Sequence, residues 1–169
     1  MKIKTNYNFS YEHSTNRVMH PTQHIFDFYS NTNKLGTLVC HKSELKIRPN
    51  YDDNVLAIDF LEVTNKNQGF GTKILKFAKE YSEKIGCKGF MTVKADSSYT
   101  PDKIPHIFYR KFGFSTLEKS TDKKMDKFIK QKINATSKDF PCLIMHYPPL
   151  HKRTAPLEKL FSLIKHFYK

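Results

Sequence analysis

The chain has 169 residues, 38% of them hydrophobic and 14% aromatic, and 29 Lys/Arg against 16 Asp/Glu give it a net charge of +13. That length fits one domain with a core of its own; no run approaches the ~18 apolar residues of a membrane helix, and Met1-Lys2-Ile3-Lys4 has no signal-peptide character. Cys40, Cys87 and Cys142 are too scattered for a disulfide framework or a zinc pair, so a reduced, cytoplasmic protein without a metal is expected.

Residues 1–24 are polar and aromatic with little periodicity. Met1 to Phe9 alternates weakly, as an edge strand would, and His20-Pro21 marks a turn. His24 to Ser30 alternates and predicts a strand. Asn31 to Lys34 reads as a turn, and Leu35 to Ile47 as an interrupted second strand of an antiparallel meander. Arg48 to Asp53 reads as a polar loop. The near-continuous apolar run Val55 to Val63 predicts a central strand buried on both faces. Asp59 and Glu62 interrupt it, and a charge in such a strand must be paired, shift its pKa or face a cavity.

Gly69 and Gly71 open a segment of helical period, Ile74, Leu75, Ala78, Tyr81 and Ile85, which Gly86 ends. Gly89 to Ala95 is the next strand, parallel to the last through the crossover. Asp96 to Ile104 is a loop in which Asp102 is a suitable helix cap. His106 to Phe112 is a short helix, followed by Gly113 and a strand from Phe114. Leu117 to Ile133 has partial helical period, with Met125, Phe128, Ile129 and Ile133 on one side and lysines on the other. Pro141 to Tyr147 is the closing strand, stopped by Pro148-Pro149. Ala155 to Tyr168 is a final amphipathic helix carrying Leu157, Leu160, Phe161, Ile164 and Phe167 on one face.

The stretch from Leu61 to Leu75 is a strand, a glycine-bearing turn and a helix. A helix N-terminus offers unpaired N–H groups and partial positive charge to phosphate oxygens, and glycine lets the backbone come close. An ordinary β–α connection could carry the same two glycines. A second motif, Phe108-Tyr109-Arg110-Lys111-Phe112-Gly113-Phe114, adds to it. With Lys66-Asn67-Gln68-Gly69-Phe70-Gly71, it resembles the paired signature of the GCN5-related N-acetyltransferase (GNAT) family, [Q/R]-x-x-G-x-[G/A] followed by F-Y-x-x-x-G-F. Lys66 stands where that family prefers Gln or Arg; it keeps the charge and loses the planar fork.

The resemblance implies an α/β fold with a mixed, mostly antiparallel sheet of six to seven strands and flanking helices. Residues 1–149 would form the acetyltransferase domain and 150–169 a basic amphipathic helical extension, docked on the body or on a second subunit as in a homodimer. It also implies acetyl-CoA as cosubstrate and a primary amine as acceptor. Lys66, Asn67, Gln68, Gly69, Phe70, Gly71 and Thr72 would cradle the pyrophosphate. The backbone of Leu61 and Val63 would pair with the pantetheine arm along a bulged strand. Tyr109 would protonate the departing sulfur, and Glu62, or else Asp59 or a water chain, would act as base. The two helices that the family places after its first strand have no counterpart in the pattern of residues 1–24.

Charge is uneven. Residues 110–169 hold 14 Lys/Arg against 5 Asp/Glu, or +9, and residues 1–109 hold 15 against 11, or +4. A basic final third suits tRNA or another acidic partner, although no RNP, KH or helix-turn-helix signature accompanies it. A CoA-binding protein without catalysis is the remaining alternative.

Overall fold

The computed structural model describes residues 3–4, 7, 9–18, 21–48, 51–64, 68–98 and 104–150. The chain divides into two compact units, Met1–Lys94 and Ala95–Lys169. The first contains β1 (Ile3–Lys4), β2 (Ser10–Asn16), β3 (Gln23–Ser30), β4 (Asn33–Arg48), β5 (Tyr51–Val63) and α1 (Phe70–Lys84), and closes in β6 (Met91–Ala95). Strands β1 to β5 pair antiparallel in sequence order, and β6 joins β5 in parallel.

Register assigns the faces of this sheet. Tyr11, Phe28, Gly36 and Val63 form one cross-strand row, and His13, Phe26, Leu38 and Leu61 the next. Helix α1 covers this side. Its buried stripe of Ile74, Leu75, Phe77 and Ala78 follows the predicted helical spacing. Phe77 meets Phe26 and Phe28 at ring distances of 5.1 Å and Tyr11 at 4.9 Å. Each large apolar side chain buried in this way contributes about 1.5–3 kcal/mol, so the aromatic seam holds helix and sheet together. The alternate residues Glu12, Asp27, Thr37 and Glu62 share the opposite face, because successive strand residues point to opposite sides.

Several boundaries differ from expectation. Residues 10–16, which carry no clear apolar signal, form β2. Their inward positions are Tyr11 and His13, so the alternation is written in aromatic residues. Among the described residues no helix precedes α1, and β2 and β3 form an antiparallel hairpin. The turn before β4 contracts to Asn31-Thr32, with Asn31 at φ 54°. β4 and β5 extend into the predicted polar loop, because backbone pairing of Lys46 with Asp52 and Arg48 with Tyr51 continues the ladder.

In the second unit, α2 (Pro105–Phe112), α3 (Lys119–Gln131) and β7 (Leu143–Tyr147) are the described elements. The predicted strand from Phe114 reduces to a single bridge between Ser115 and His146. Arg110 fastens α2 to α3. Its Nε and Nη2 donate to the two Asp126 carboxylate oxygens at 2.8 and 2.7 Å, and its Nη1 donates to the Phe114 carbonyl at 3.1 Å. Asp102 and the helix expected over Ala155 to Tyr168 lie outside the described residues. Among the described residues, no helix is long and apolar enough to cross a membrane.

Candidate functional site

The central strand carries a bulge. Val39 pairs with Phe60 and Cys40 with Ile58, which leaves Asp59 as an extra residue on β5. A bulge shifts the alternation of everything after it by one residue. The Thr64 N–H donates to the Leu35 carbonyl at 2.9 Å, so that pair is hydrogen-bonded across β4. In an antiparallel ladder such pairs alternate with pairs whose N–H and C=O groups face the other way. Leu61 and Val63 are the latter kind, and their backbone groups point to the edge away from β4.

On that edge, among the described residues, β6 pairs with β5 only from Leu56–Met91 to Ile58–Val93. β5 then runs five residues further, to Val63. The unpaired stretch begins where the bulge turns Leu61 and Val63 outward. An extended ligand with amide groups along its length could add to this edge as a short strand would. Leu61 and Val63 are partly exposed, as an edge open to a ligand requires.

The strand leads to the glycine turn. Gly69 caps α1 at φ 74°, in the left-handed region where a side chain is strained and glycine is not. Among the described residues no side chain caps this end, and the first turn holds no acidic residue. The first intrahelical bond is from the Lys73 N–H to the Gly69 carbonyl at 3.2 Å. The N–H groups of Phe70, Gly71 and Thr72 therefore project from the helix end without an intrahelical acceptor, where the macrodipole is positive. Gln68, Gly69 and Thr72 are exposed. Phe70 is half-buried, with the Lys73 ammonium 5.3 Å from its ring centroid. Lys66 and Asn67 lie outside the described residues.

Both candidate bases lie on the face opposite α1. Glu62 is exposed and stands across from Thr37. Asp59, at the bulge, already has partners: its Oδ2 lies 2.8 Å from His41 Nδ1 and accepts from Gln23 Nε2 at 3.1 Å. His41 and Gln23 sit side by side on β4 and β3, and sequence alone did not single them out. Cys40 and Cys87 offer no accessible nucleophile, since both are fully buried. Burial pushes the Cys40 thiol up to about 12.

Tyr109 belongs to the second unit, on α2. Its side chain is buried, with its ring 5.2 Å from that of Phe108 and 5.4 Å from that of Phe114. Burial raises its phenol well above the ordinary value, so it keeps its proton throughout the neutral range. Gly113 ends the helix at φ 110°, and the Phe114 N–H returns to the Tyr109 carbonyl at 3.0 Å. The glycine thus reverses the chain and brings Phe114 against the tyrosine ring, which explains that spacing within F-Y-x-x-x-G-F.

The sheet order, the bulged strand that outruns its parallel neighbour, and the uncapped glycine-headed crossover helix together define the architecture. The fold is GNAT-like.

No protein-family model matches the chain, and no curated protein matches its sequence. Among solved structures, the GNAT-like fold is similar to a Bacillus subtilis acetyltransferase in complex with CoA. That match is at 15% identity, covering 73% of this chain and 75% of that one, with a TM-score of 0.48. It is also similar to a mutant AtaT toxin bound to the C-terminus of the antitoxin AtaR and acetyl-CoA, at 16% identity, 64% and 73% coverage and a TM-score of 0.43. A KacTA–DNA complex matches at 16% identity, 86% and 77% coverage and a TM-score of 0.47.

Proposed function

We propose that this chain is a member of the GNAT family, an acetyl-CoA-dependent N-acetyltransferase that moves an acetyl group to a primary amine by direct attack. The observation that carries the reading is the edge of β5: among the described residues it runs past the last β6 pair, keeps Leu61 and Val63 partly exposed, and leads to a helix N-terminus without a side-chain cap. An extended thioester with a pyrophosphate near its other end needs those two features in that order. The backbone of Leu61 and Val63 would bond the pantetheine amides. Gln68, Gly69, Phe70, Gly71 and Thr72, with Lys66 and Asn67, would surround the pyrophosphate.

Direct transfer asks three things of the protein. The attacking amine must lose a proton, the tetrahedral oxyanion must be stabilised, and the departing thiolate must be protonated. Tyr109 is our candidate donor to sulfur, on its place in F-Y-x-x-x-G-F, and its phenol carries a proton throughout the neutral range. Glu62, exposed and near the open edge, is our candidate base toward the amine. Asp59 is the second choice because His41 and Gln23 already engage its carboxylate. A cytoplasmic location belongs to the same proposal, on the ground that three scattered cysteines suit no disulfide framework.

Incubation with radiolabelled acetyl-CoA and a panel of amines, peptides and aminoacyl-tRNA tests the function. Acetyl transfer to at least one amine is expected. Thioester hydrolysis without transfer across the panel would instead support CoA binding without amine acetylation. The +9 charge of residues 110–169 favours a nucleic acid as carrier of the amine. Binding of tRNA that persists at about 0.2 M salt would support this, whereas loss by that concentration would mark generic charge attraction.

A further inference from the structure

The second unit holds a groove that the acyl-transfer reading does not use. Its volume is about 440 Å³. One wall comes from α2 and the residue before it, through Ile104 and Ile107. The other comes from α3 and the chain leaving it, through Phe128 and Ile133. Lys111 and Lys132 stand on its margin and are exposed. Ile133 is 44% exposed, and Ile104, Ile107 and Phe128 are only partly covered. Phe128 meets Phe140 edge to face, with ring centroids 5.4 Å apart.

Exposed aliphatic residues gathered in a concavity mark an interaction surface more often than scattered ones do. The charge of this surface is set by its neighbours. Asp122 and Asp126 are paired with Arg110, and Asp139 with Lys124. Lys123, Lys127 and Lys130 extend the positive field along exposed positions of α3. Bare nucleic acid has little use for isoleucine walls, and a purely apolar ligand has little use for the lysine margin.

We propose that the groove between α2 and α3 docks an acidic amphipathic helix of a partner protein. Apolar side chains one helical turn apart would fill the space between Ile107 and Ile133, and carboxylates on the flanking face would meet Lys111 and Lys132. Occupants from the chain itself carry the wrong sign. Residues 151–169 hold five Lys/Arg against one Glu, and a second copy brings a net +13 of its own. The proposal is independent of the acetyltransferase reading.

The test is fluorescence polarisation on the full chain at about 0.15 M salt, where long-range attraction is screened. The probe is a labelled peptide with leucines on one helical face and glutamates on the other. The controls are a scrambled peptide of equal composition and the same helix with lysine in place of glutamate. The acidic helix is expected to bind at least about tenfold more tightly than either control. Lys111→Glu with Lys132→Glu, and separately Ile133→Glu, should each weaken it about tenfold, a loss of about 1.4 kcal/mol, with the melting temperature unchanged.

Equal binding of the scrambled peptide, or indifference to these substitutions, would overturn the proposal. So would two rival occupants. If Leu160→Glu with Phe161→Glu tightens peptide binding about tenfold, the groove belongs to the chain's own C-terminal segment. If Ile133→Glu dissociates a dimer in sedimentation, the groove belongs to a second copy.

Discussion

A Cβ placed on Gly36 would stand 2.2 Å from the carbonyl oxygen of Glu62, and 3.2 Å from Cδ1 of Ile74. Gly36 and Val63 face each other across β4 and β5, next to the candidate base. The missing side chain lets the two strands close up immediately before the glycine turn. The obstacle is backbone on the neighbouring strand, which cannot swing aside. Gly36→Ala should therefore cost about 3 kcal/mol, at the upper end for an overpacked site. Urea denaturation should show the loss as a lower midpoint with little change in slope. CoA affinity should fall with it, because the displaced segment is the one expected to meet the pantetheine.

Tyr109→Phe keeps the ring that packs on Phe108 and Phe114 and removes only the hydroxyl. The variant should keep its melting temperature. If the phenol protonates the leaving thiolate, kcat should fall at least about a hundredfold with KM nearly unchanged. Burial raises this phenol, so the wild type should show no alkaline loss of rate from Tyr109 below the ordinary tyrosine range. Full turnover by Tyr109→Phe would remove the acid role and leave the fold untouched.

Stability should depend on pH through three histidines. Burial is the leading cause that lowers His13, His24 and His106 below the ordinary imidazole value of 6.5. The unfolded chain then takes up protons more readily than the folded one. Their contribution is fully present above 6.5 and is lost as pH falls from there through their lowered folded values. His106 has the tightest setting, fully buried with Nε2 2.8 Å from the Pro141 carbonyl. Equilibrium denaturation between about pH 7.5 and 5 should show stability declining toward acid, and His106→Gln should flatten part of the slope.

Arg110→Lys should loosen α2 from α3. Lysine keeps the charge but has no planar fork to meet both Asp126 oxygens and the Phe114 carbonyl together. Asp126 is about half exposed, so the ion pair is screened and the expected cost is only about 1 kcal/mol. A double-mutant cycle with Asp126→Asn would isolate the coupling.

Much of this architecture was legible because its signals are local. The apolar run to Val63, the two glycines and the period of Ile74, Leu75 and Ala78 specify strand, turn and helix within a short span. The tyrosine motif was legible through the family resemblance, and the structure supplies the local reason for its spacing: Gly113 reverses the chain and brings Phe114 onto Tyr109. β2 was not, because its inward residues are Tyr11 and His13 and an apolar scan passes over them. The partners of Asp59 were also hidden. Gln23 and His41 reach it only through strand register, which depends on the bulges and on pairings far apart in sequence. Gly36 offered a faint sign, a lone glycine inside a strand pattern, which often marks close backbone approach.

The central claim is that the helix N-terminus at Gly69 to Thr72 receives the CoA pyrophosphate. The most direct test is isothermal calorimetry of CoA on wild type and Gly71→Glu, each with its own thermal melt. A glutamate in the first turn suits the helix macrodipole, so the variant should melt at or slightly above the wild-type temperature. CoA at about 100 times its Kd should stabilise the wild type by about 2.7 kcal/mol, and Gly71→Glu should show no detectable binding. Wild-type affinity retained in that variant, or no binding by either protein at millimolar CoA, would contradict the account.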